Sequence, residues 1–321
     1  MYKVDNYING KSCSISTESS LIINPSYGRE IGEVHYATAE STNLAVESAY
    51  QAAKSWSKTG LTFRAELILK FRQGVIDRSS EIIDICINEA GKTKPDAEAE
   101  LDRAVQALAH VAGVQHFYPT HFSQNVAGGI DIADLRFPIG VVAGVGPFNF
   151  PILIPILHSS MALVTGNTYI AKPSEKVPSI SRLYADIYED IGLPNGCFNV
   201  INGNKEIVEL LVRHEKVNGL AFIGSTVAAK SLKILGVEHN TKVQALGGGK
   251  NHMIVLPDAD LDMSADAAVS ASFGAAGQRC MAVSVVVAVG EIADELLDKI
   301  KERMPSLVMG VTDDDETQLG P

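Results

Sequence analysis

The stretch IGVVAGVGPFNFPILIPILHSSMALVTGNTYIAKPSE, residues 139–175, decides the fold of this chain. It opens with an apolar run of strand length at 139–145, continues into a helical pattern from about Pro151, and returns to a second short strand at 168–172. Parallel strands need a crossover connection, which is usually a helix. The stretch therefore predicts a parallel β-sheet with helices packed on its faces.

The same alternation of strands and helices continues towards the C-terminus. Two further apolar runs lead into helical patterns that begin near Lys205 and Thr226, and a third run precedes a glycine-rich turn. The three runs are CFNVI (197–201), GLAFI (219–223) and TKVQAL (241–246). Repeated units of this kind predict an α/β fold with a doubly wound parallel sheet, which binds nucleotides beyond the carboxyl ends of its strands.

The first third of the chain has a different character. Residues 1–35 contain short strand patterns, and Asn9-Gly10 between two of them is a hairpin signal. Apolar residues then recur at helical spacing in the segments 41–57, 64–76, 80–89 and 95–114. In the first of these helices, the predicted buried face contains Leu44, Ala45, Ala49, Ala52, Ala53 and Trp56.

Composition restricts the class of function. Of the 321 residues, 46% are hydrophobic and 20% are charged, and the net charge is −11. A large core is expected, and no dense Lys/Arg cluster suggests a nucleic-acid partner. No apolar run reaches the roughly 18 residues of a membrane span, and the start MYKVDNYING lacks the apolar core of a signal peptide. We therefore expect neither a nucleic-acid nor a membrane partner.

The cysteines suggest a reducing compartment. Cys13, Cys86, Cys197 and Cys280 are far apart and form no CxxC pair, and the eight histidines form no HExxH motif. This pattern predicts a cytoplasmic protein with neither a disulfide framework nor a metal site.

Two glycine-rich stretches come close to nucleotide-binding motifs without matching them. Gly144-x-Gly146 follows a strand, but Asn149 stands where GxGxxG needs its third glycine. The run at 247–250 resembles the end of a phosphate-binding loop, but Asn251 replaces the required Ser or Thr. Any nucleotide site must therefore use a different loop.

Five motifs together resemble one enzyme family. They occur in the order and at the approximate spacing of NAD(P)-dependent aldehyde dehydrogenases, over essentially the whole chain. The motifs are GPFNFP (146–151), KPSE (172–175), FIGST (222–226), the glycine run 247–249 and GQRC (277–280). The resemblance implies an α/β fold with a doubly wound, parallel-sheet NAD-binding domain and part of an α/β catalytic domain.

The resemblance gives Cys280 and Asn149 catalytic roles. An aldehyde is attacked by a thiolate, and Arg279 and the small residues before Cys280 suit an accessible sulfur near positive charge. From the residues alone, a buried structural cysteine is the competing interpretation. The resemblance makes the Asn149 amide and the Cys280 backbone N–H the donors to the developing oxyanion. The competing interpretation of Asn149 is a turn residue after a strand.

The resemblance also places the cofactor. It implies that Lys172 and Glu175 hold the adenosine ribose, and a carboxylate there favours NAD over NADP because it repels a 2′-phosphate. Gly224 and Ser225 begin a helix whose N-terminus suits the pyrophosphate, and Phe148 belongs to the same cofactor site. Without the resemblance, Lys172 and Glu175 would be interpreted as solvated loop charges.

Three positions depart from the family pattern. Ala229 stands where glycine is common, which predicts a narrower approach of the backbone to phosphate, and Val227 replaces an acidic residue. Leu246 stands where hydrolytic members carry the glutamate that activates water. Without that base, hydrolysis of a thioester should be slow, and coenzyme A becomes the expected acyl acceptor. The alternative interpretation is that Leu246 only packs at the end of its strand.

The motifs QALGGGKNH (244–252) and GQRCMA (277–282) are most similar to the CoA-acylating methylmalonate-semialdehyde branch of the family. This branch resemblance implies that Arg103 and Arg279 bind the carboxylate of the substrate, since two guanidinium groups can clamp it. Two alternatives stay open. Arg103 could be an exposed helix charge paired with Asp102 or Glu98, and Arg279 could support the Cys280 loop.

The resemblance also predicts the domain organisation. We expect a discontinuous NAD-binding domain at 1–118 and 137–247, a strand-rich oligomerisation excursion at 119–136, and the start of the catalytic domain at 248–321. The chain ends in TQLGP, and in the family a similar segment is followed by a long further part of the catalytic domain. We therefore expect the chain to be C-terminally truncated and to expose apolar surface.

The resemblance implies NAD-dependent oxidation of methylmalonate or malonate semialdehyde, with loss of carbon dioxide and transfer of the acyl group to coenzyme A. It implies a homo-oligomer, a dimer or a tetramer. Two rivals stay open, a hydrolytic semialdehyde dehydrogenase that releases free acid and a non-catalytic NAD-binding protein.

Overall fold

A computed structural model describes residues 1–117 and 120–321 of the chain. Five short strands come first. They are β1 (Tyr2–Val4), β2 (Asn6–Ile8), β3 (Lys11–Cys13), β4 (Ser19–Asn24) and β5 (Arg29–His35). Asn9 and Gly10 join β2 to β3 with φ values of 52° and 77°, the left-handed pair that a tight hairpin requires. The predicted hairpin is therefore confirmed.

The helical region follows β5. It consists of α1 (Ala39–Trp56), α2 (Leu61–Asp77), α3 (Ser79–Ile85), α4 (Lys94–Ala112) and α5 (Val114–Phe117), with one π-helical turn at Cys86–Ala90. Helix α1 begins with a capping box of Thr38 and Ser41. Its buried face differs from the prediction, because Leu44 is exposed and Val46 is buried.

The second part of the chain supplies the remaining strands. They are β6 (Phe122–Ala127), β7 (Ile130–Ala133), β8 (Val141–Val145), β9 (Thr168–Lys172), β10 (Phe198–Val200), β11 (Val217–Ile223), β12 (Lys242–Leu246), β13 (Asn251–Val255) and β14 (Val283–Ala288). Within the described residues, a seven-stranded sheet has the order β12-β11-β8-β9-β10-β2-β3. From β12 to β10 all neighbours are parallel, and the β2–β3 hairpin adds an antiparallel edge.

Helices cover both faces of this sheet. The crossover helices are α6 (Leu153–Val164), α7 (Ser179–Asp190), α8 (Lys205–Arg213) and α9 (Thr226–Glu238). Residues of α6 and α7 share one apolar core with α2 and α4, whereas residues of α8 and α9 share another with α1. Two cores on opposite faces confirm the predicted doubly wound α/β fold.

A smaller parallel unit follows β12. Strands β13 and β14 pair in parallel and pack against α10 (Leu261–Phe273) and α11 (Ala293–Arg303). Its core is small and centres on Val255, Ala265 and Leu296. A left-handed turn at Gly274–Gly277 and short 3-10 turns at Gly290–Ile292 and Met304–Ser306 connect or end these elements.

The segment predicted as an oligomerisation excursion forms an exposed ribbon. Strands β6 and β7 pair antiparallel, and every residue in them is exposed. The predicted boundary at 118/119 lies outside the described residues. Among the helices of residues 1–117 and 120–321, we find none with the length and apolar character needed to cross a bilayer.

Candidate active site

A cleft of about 470 Å³ opens at the carboxyl ends of the parallel strands. Val145, Lys172 and Ile223 are the last residues of β8, β9 and β11, and all three line it, as does Gly247 directly after β12. The cleft lies where a doubly wound sheet is expected to bind its ligand, because the loops that leave parallel strands at this edge diverge. On its other side the cleft is lined by residues 277–280.

The turn after β8 carries Asn149. Its Nδ2 atom donates to the Gln278 carbonyl oxygen over 2.8 Å and so joins the sheet edge to the loop of Cys280. The helix that follows is fixed by Glu100, whose Oε1 accepts from the Ile152 and Leu153 backbone N–H groups at 2.8 Å each. Glu100 is buried and forms an ion pair with buried Lys92. A buried carboxylate therefore caps α6 and holds the Asn149 turn in place.

The loop that carries Cys280 has unusual backbone geometry. After α10 ends at Phe273, Ala275 and Ala276 have φ values of 52° and 53°, and Gly277 follows at 70°. Left-handed alanine costs about 1–2 kcal/mol per residue, so other contacts must stabilise this turn. The turn leaves Cys280 exposed at the cleft.

The other cysteines are less accessible than Cys280. Cys86 and Cys197 are buried, and Cys13 is half-buried. Burial raises the pKa of the Cys197 thiol to about 12 and raises that of Cys86 well above its ordinary value. Of the four thiols, Cys280 is therefore the one placed to act as a nucleophile.

Two side chains from distant elements hold the Cys280 loop. Arg279 Nη2 lies 2.6 Å from Asp96 Oδ1, at the start of α4. Asn251 Nδ2, at the start of β13, donates to the Cys280 and Ala282 carbonyl oxygens at 2.9 Å each. The sequence prediction did not include Asp96, Glu100 or Asn251. The only signals were the Thr93-x-x-Asp96 helix start and the position of Asn251 two residues after the glycine run 247–249.

The predicted ribose-binding pair is present at the end of β9. Lys172 is buried, and its Nζ lies 3.4 Å from Glu175 Oε2. Burial lowers the pKa of Lys172, and the Glu175 charge opposes that effect. Phe148 lies across the cleft rim with the Lys176 ammonium 4.7 Å from its ring centre. All three predicted residues, Lys172, Glu175 and Phe148, line the cleft.

Gly224 and Ser225 form the start of α9 at the cleft. The Gly224 N–H donates to the Leu246 carbonyl oxygen over 3.1 Å, and Ser225 Oγ accepts from the Ala228 N–H over 3.3 Å. Ala229 packs with the apolar core of α8 and α9 and is only 7% exposed. Its methyl group therefore packs into the core, and the narrower approach of the backbone to phosphate stays a prediction, while Val227 points to solvent.

Arg103 lies apart from the other predicted residues. It is exposed on α4, and its Nη1 donates to Gln106 Oε1 over 3.0 Å rather than pairing with Asp102 or Glu98. It does not line the cleft, whereas the other eight predicted site residues do. The two arginines therefore have different partners. Arg103 binds the neutral amide of Gln106, whereas Arg279 binds the carboxylate of Asp96.

The cleft fits a dinucleotide. The Lys172–Glu175 pair offers a donor and an acceptor to ribose hydroxyls, and the first turn of α9 offers backbone N–H groups to a pyrophosphate. A Cβ added at Gly248 would be in ordinary contact with Thr226 Oγ1, at 3.9 Å, so the space beside this lining residue is open. In the described part of the chain, no three His, Cys, Asp or Glu side chains are grouped to hold a metal ion.

Comparisons with known proteins show what the whole chain is similar to. A model of the aldehyde dehydrogenase family matches residues 14–321. The chain is 37% identical to malonate-semialdehyde dehydrogenase of Bacillus pumilus SAFR-032 over 98% of its length, and covers 65% of that relative.

Two solved structures have nearly the same backbone. One is a protein of Sinorhizobium meliloti 1021 crystallised with NAD and assigned as a methylmalonate-semialdehyde dehydrogenase, with 38% identity and a TM-score of 0.96. The other is methylmalonate-semialdehyde dehydrogenase of Oceanimonas doudoroffii, with 36% identity and a TM-score of 0.97. Each match covers 100% of this chain and 66% of the other, so the chain spans about two thirds of its relatives.

Proposed function

The chain belongs to the aldehyde dehydrogenase family, and we propose that it carries the nucleotide site and the nucleophile of an NAD-dependent, CoA-acylating malonate- or methylmalonate-semialdehyde dehydrogenase. One observation carries the proposal. A single cleft is lined by Cys280, Asn149, the Lys172–Glu175 pair and the start of α9. The residues proposed as nucleophile, oxyanion donor and cofactor contacts therefore line one cleft. The names of the relatives supply the substrate class.

In the proposed first step, the Cys280 thiolate attacks the aldehyde carbon, and the carbonyl oxygen becomes an oxyanion. Asn149 Nδ2 has two protons and uses one on Gln278. The second proton, with the Cys280 backbone N–H, is available to the oxyanion. Such donors typically contribute a factor of about 10²–10³ to the rate.

The second step removes hydride from the thiohemiacetal carbon. Bound NAD would accept that hydride, which leaves a thioester on Cys280. Within this chain, Lys172 and Glu175 would hold the adenosine ribose, Gly224 and Ser225 would face the pyrophosphate, and Phe148 would line the path between them. Glu175 would disfavour the 2′-phosphate of NADP through charge repulsion.

The acyl acceptor is proposed to be coenzyme A rather than water. Leu246 ends β12 immediately before the glycines that line the cleft, and it has no carboxylate to activate water. Among the described residues that line the cleft, Glu175 is the sole carboxylate, and it is paired with Lys172. A thiol can attack as its own anion and needs no such base.

Loss of carbon dioxide follows from the substrate chemistry. Oxidation of a 3-oxo acid gives an acyl thioester with a carboxylate on the next carbon. When the bond to that carboxylate breaks, its electron pair moves into the thioester as an enolate, which then takes a proton. Coenzyme A thiolate would then displace the Cys280 thiolate to give acetyl- or propionyl-CoA. Arg103 and Arg279 are the proposed cations for the substrate carboxylate, Arg103 being the more accessible.

The test follows NADH formation by the purified protein from malonate semialdehyde and NAD, with and without CoA, and identifies the product. We expect turnover that depends on CoA and is lost in Cys280→Ala, with Cys13→Ala as the control. Equal turnover without CoA, with free acid as product, would support the hydrolytic alternative. NAD binding without turnover in the folded protein would support the non-catalytic alternative.

The same proposal includes assembly as a homo-oligomer, a dimer or a tetramer. The exposed β6–β7 ribbon carries large apolar side chains, with Phe122, Ile130 and Ile132 each more than half exposed. Clusters of this kind on a surface favour burial against another chain. Sedimentation of the wild-type protein and of Phe122→Ser would test this role of the ribbon.

A further inference from the structure

The Cys280 loop is the least regular part of the active site. Two consecutive alanines in left-handed geometry make this conformation locally unfavourable, because their Cβ atoms crowd the backbone. The loop therefore needs contacts with other elements to keep the sulfur at the cleft. Of the contacts already described, the one formed by Arg279 is charged and lies directly beside the nucleophile.

The guanidinium of Arg279 lies between the carboxylate of Asp96 and the backbone of Gly274. Its Nη2 meets Asp96 Oδ1 at 2.6 Å, and the side chain is about two thirds buried. On another side lies the backbone of Gly274, where an added Cβ would come within 2.8 Å of Nη1 and 3.1 Å of Nη2. The absence of a side chain at Gly274 thus makes room for the guanidinium.

Asp96 is itself well anchored. It lies in the first turn of α4, where the helix dipole favours a carboxylate. Its Oδ2 accepts from Thr93 Oγ1 over 3.3 Å, which leaves Oδ1 directed at Arg279. Helix α4 packs against α2 and α6, so Asp96 connects the Cys280 loop to the rigid part of the fold.

We propose that the Asp96–Arg279 ion pair holds the Cys280 loop in its reactive position, and that Asp96 is a positioning residue for the nucleophile. Arg279 then acts on the loop in addition to its proposed role towards the substrate carboxylate. This inference rests on the proposed function for the reaction itself. Only the Nη2 atom of Arg279 meets Asp96, and a guanidinium has five N–H donors, so the remaining ones stay available to the substrate carboxylate.

The experiment compares two aldehydes, malonate semialdehyde and propanal, which lacks the carboxylate. For Asp96→Asn we expect kcat to fall by about tenfold with both aldehydes, the effect of one charge-assisted hydrogen bond. For Arg103→Ala we expect a rise in KM with malonate semialdehyde alone. The control is Asp298→Asn, which removes the same charge from the exposed Asp298–Lys301 pair and should change neither value.

A second readout needs no turnover. Amide hydrogen exchange in residues 274–282 of the free protein should become faster in Asp96→Asn and stay unchanged in Asp298→Asn. Asp96→Glu keeps the charge and should recover part of kcat. Gly274→Ala is a second test, for use if Asp96→Asn folds poorly. Alanine fits the local backbone at φ −52°, and its methyl group would displace the Arg279 guanidinium, so we expect the same loss of kcat and the same faster exchange.

Two results would overturn the inference. One is an Asp96→Asn variant with wild-type exchange and kcat. The other is a defect confined to KM for malonate semialdehyde, which would show that Asp96 acts on substrate binding and not on the loop. Because hydrogen exchange needs neither turnover nor CoA, failure of the proposed reaction would be seen separately.

Discussion

The two sides of the cleft are built in different ways. The proposed cofactor side consists of the ends of buried parallel strands and the start of α9, with regular backbone geometry. The proposed nucleophile side is a short loop with left-handed alanines, held by side chains of Asp96, Asn149 and Asn251. The sheet edge is thus stabilised by the whole core, whereas the loop depends on a few individual contacts.

This difference predicts that single substitutions in the Cys280 loop lower kcat and leave the Kd for NAD unchanged. Cys280→Ala should give the largest effect, a loss of kcat of about 10⁴-fold or more, because it removes the bond-forming atom. Calorimetry should show an unchanged Kd for NAD. A Kd that changes with kcat would mean that the two sides are not independent.

Asn149→Ala should have the next largest effect. It removes both the proposed oxyanion donor and the link to the Gln278 carbonyl, so we expect kcat to fall by about 10²–10³-fold. Steady-state kinetics with each aldehyde measure the change. Asn125→Ala on the exposed β6–β7 ribbon is a matched control, and an equal loss there would point to a general fault in folding.

Asn251→Ala should reduce kcat by about tenfold. It removes two hydrogen bonds to the Cys280 and Ala282 carbonyl oxygens, so the loop should move more freely while the sheet edge is unaffected. The check is kcat together with KM for NAD. If KM for NAD rose and kcat stayed constant, Asn251 would belong to the cofactor side instead.

Glu175→Gln tests the cofactor side. Loss of the carboxylate removes its repulsion of a 2′-phosphate, so the preference for NAD over NADP should fall by about tenfold, with kcat for NAD little changed. The ratio of kcat/KM for the two cofactors measures it. An unchanged ratio would show that another group selects the cofactor.

The smallest expected effect is on the pH dependence of stability, and it comes from the buried Glu89. Burial raises the pKa of Glu89 to about 7, although Ser179 and Tyr2 donate to its carboxylate. The folded protein therefore holds this proton at a pH where the unfolded chain releases it, so stability should fall as pH rises from about 4.5 to about 7. Thermal melts should show this slope flattened in Glu89→Gln, and an identical slope would assign the effect to other groups.

Much of the regular fold was predictable from the sequence. Strand β9 occupies the predicted residues 168–172, and α7 begins at the predicted Ser179. Strands buried on both faces read as continuous apolar runs, and Asn-Gly marks the hairpin because left-handed geometry suits these residues. Helical periodicity predicted that Leu44 is buried, but this residue is exposed. Which residues of α1 are buried depends on the elements that pack against the helix, and the spacing of apolar residues does not specify them.

The sequence by itself determined the chemistry of the site. Residue types at motif positions predict the Cys280 thiol, the Asn149 amide and the Lys172–Glu175 pair as its working groups. The motif position of Leu246 likewise predicts that a carboxylate is missing there. Only the tertiary structure decided which of these groups act together. Asp96 and Arg279 are 183 positions apart and meet because α4 and the Cys280 loop pack against each other. Arg103, seven residues after Asp96 on the same helix, stays in solvent. Local sequence patterns report helices and strands, whereas a contact between distant side chains depends on how those elements pack.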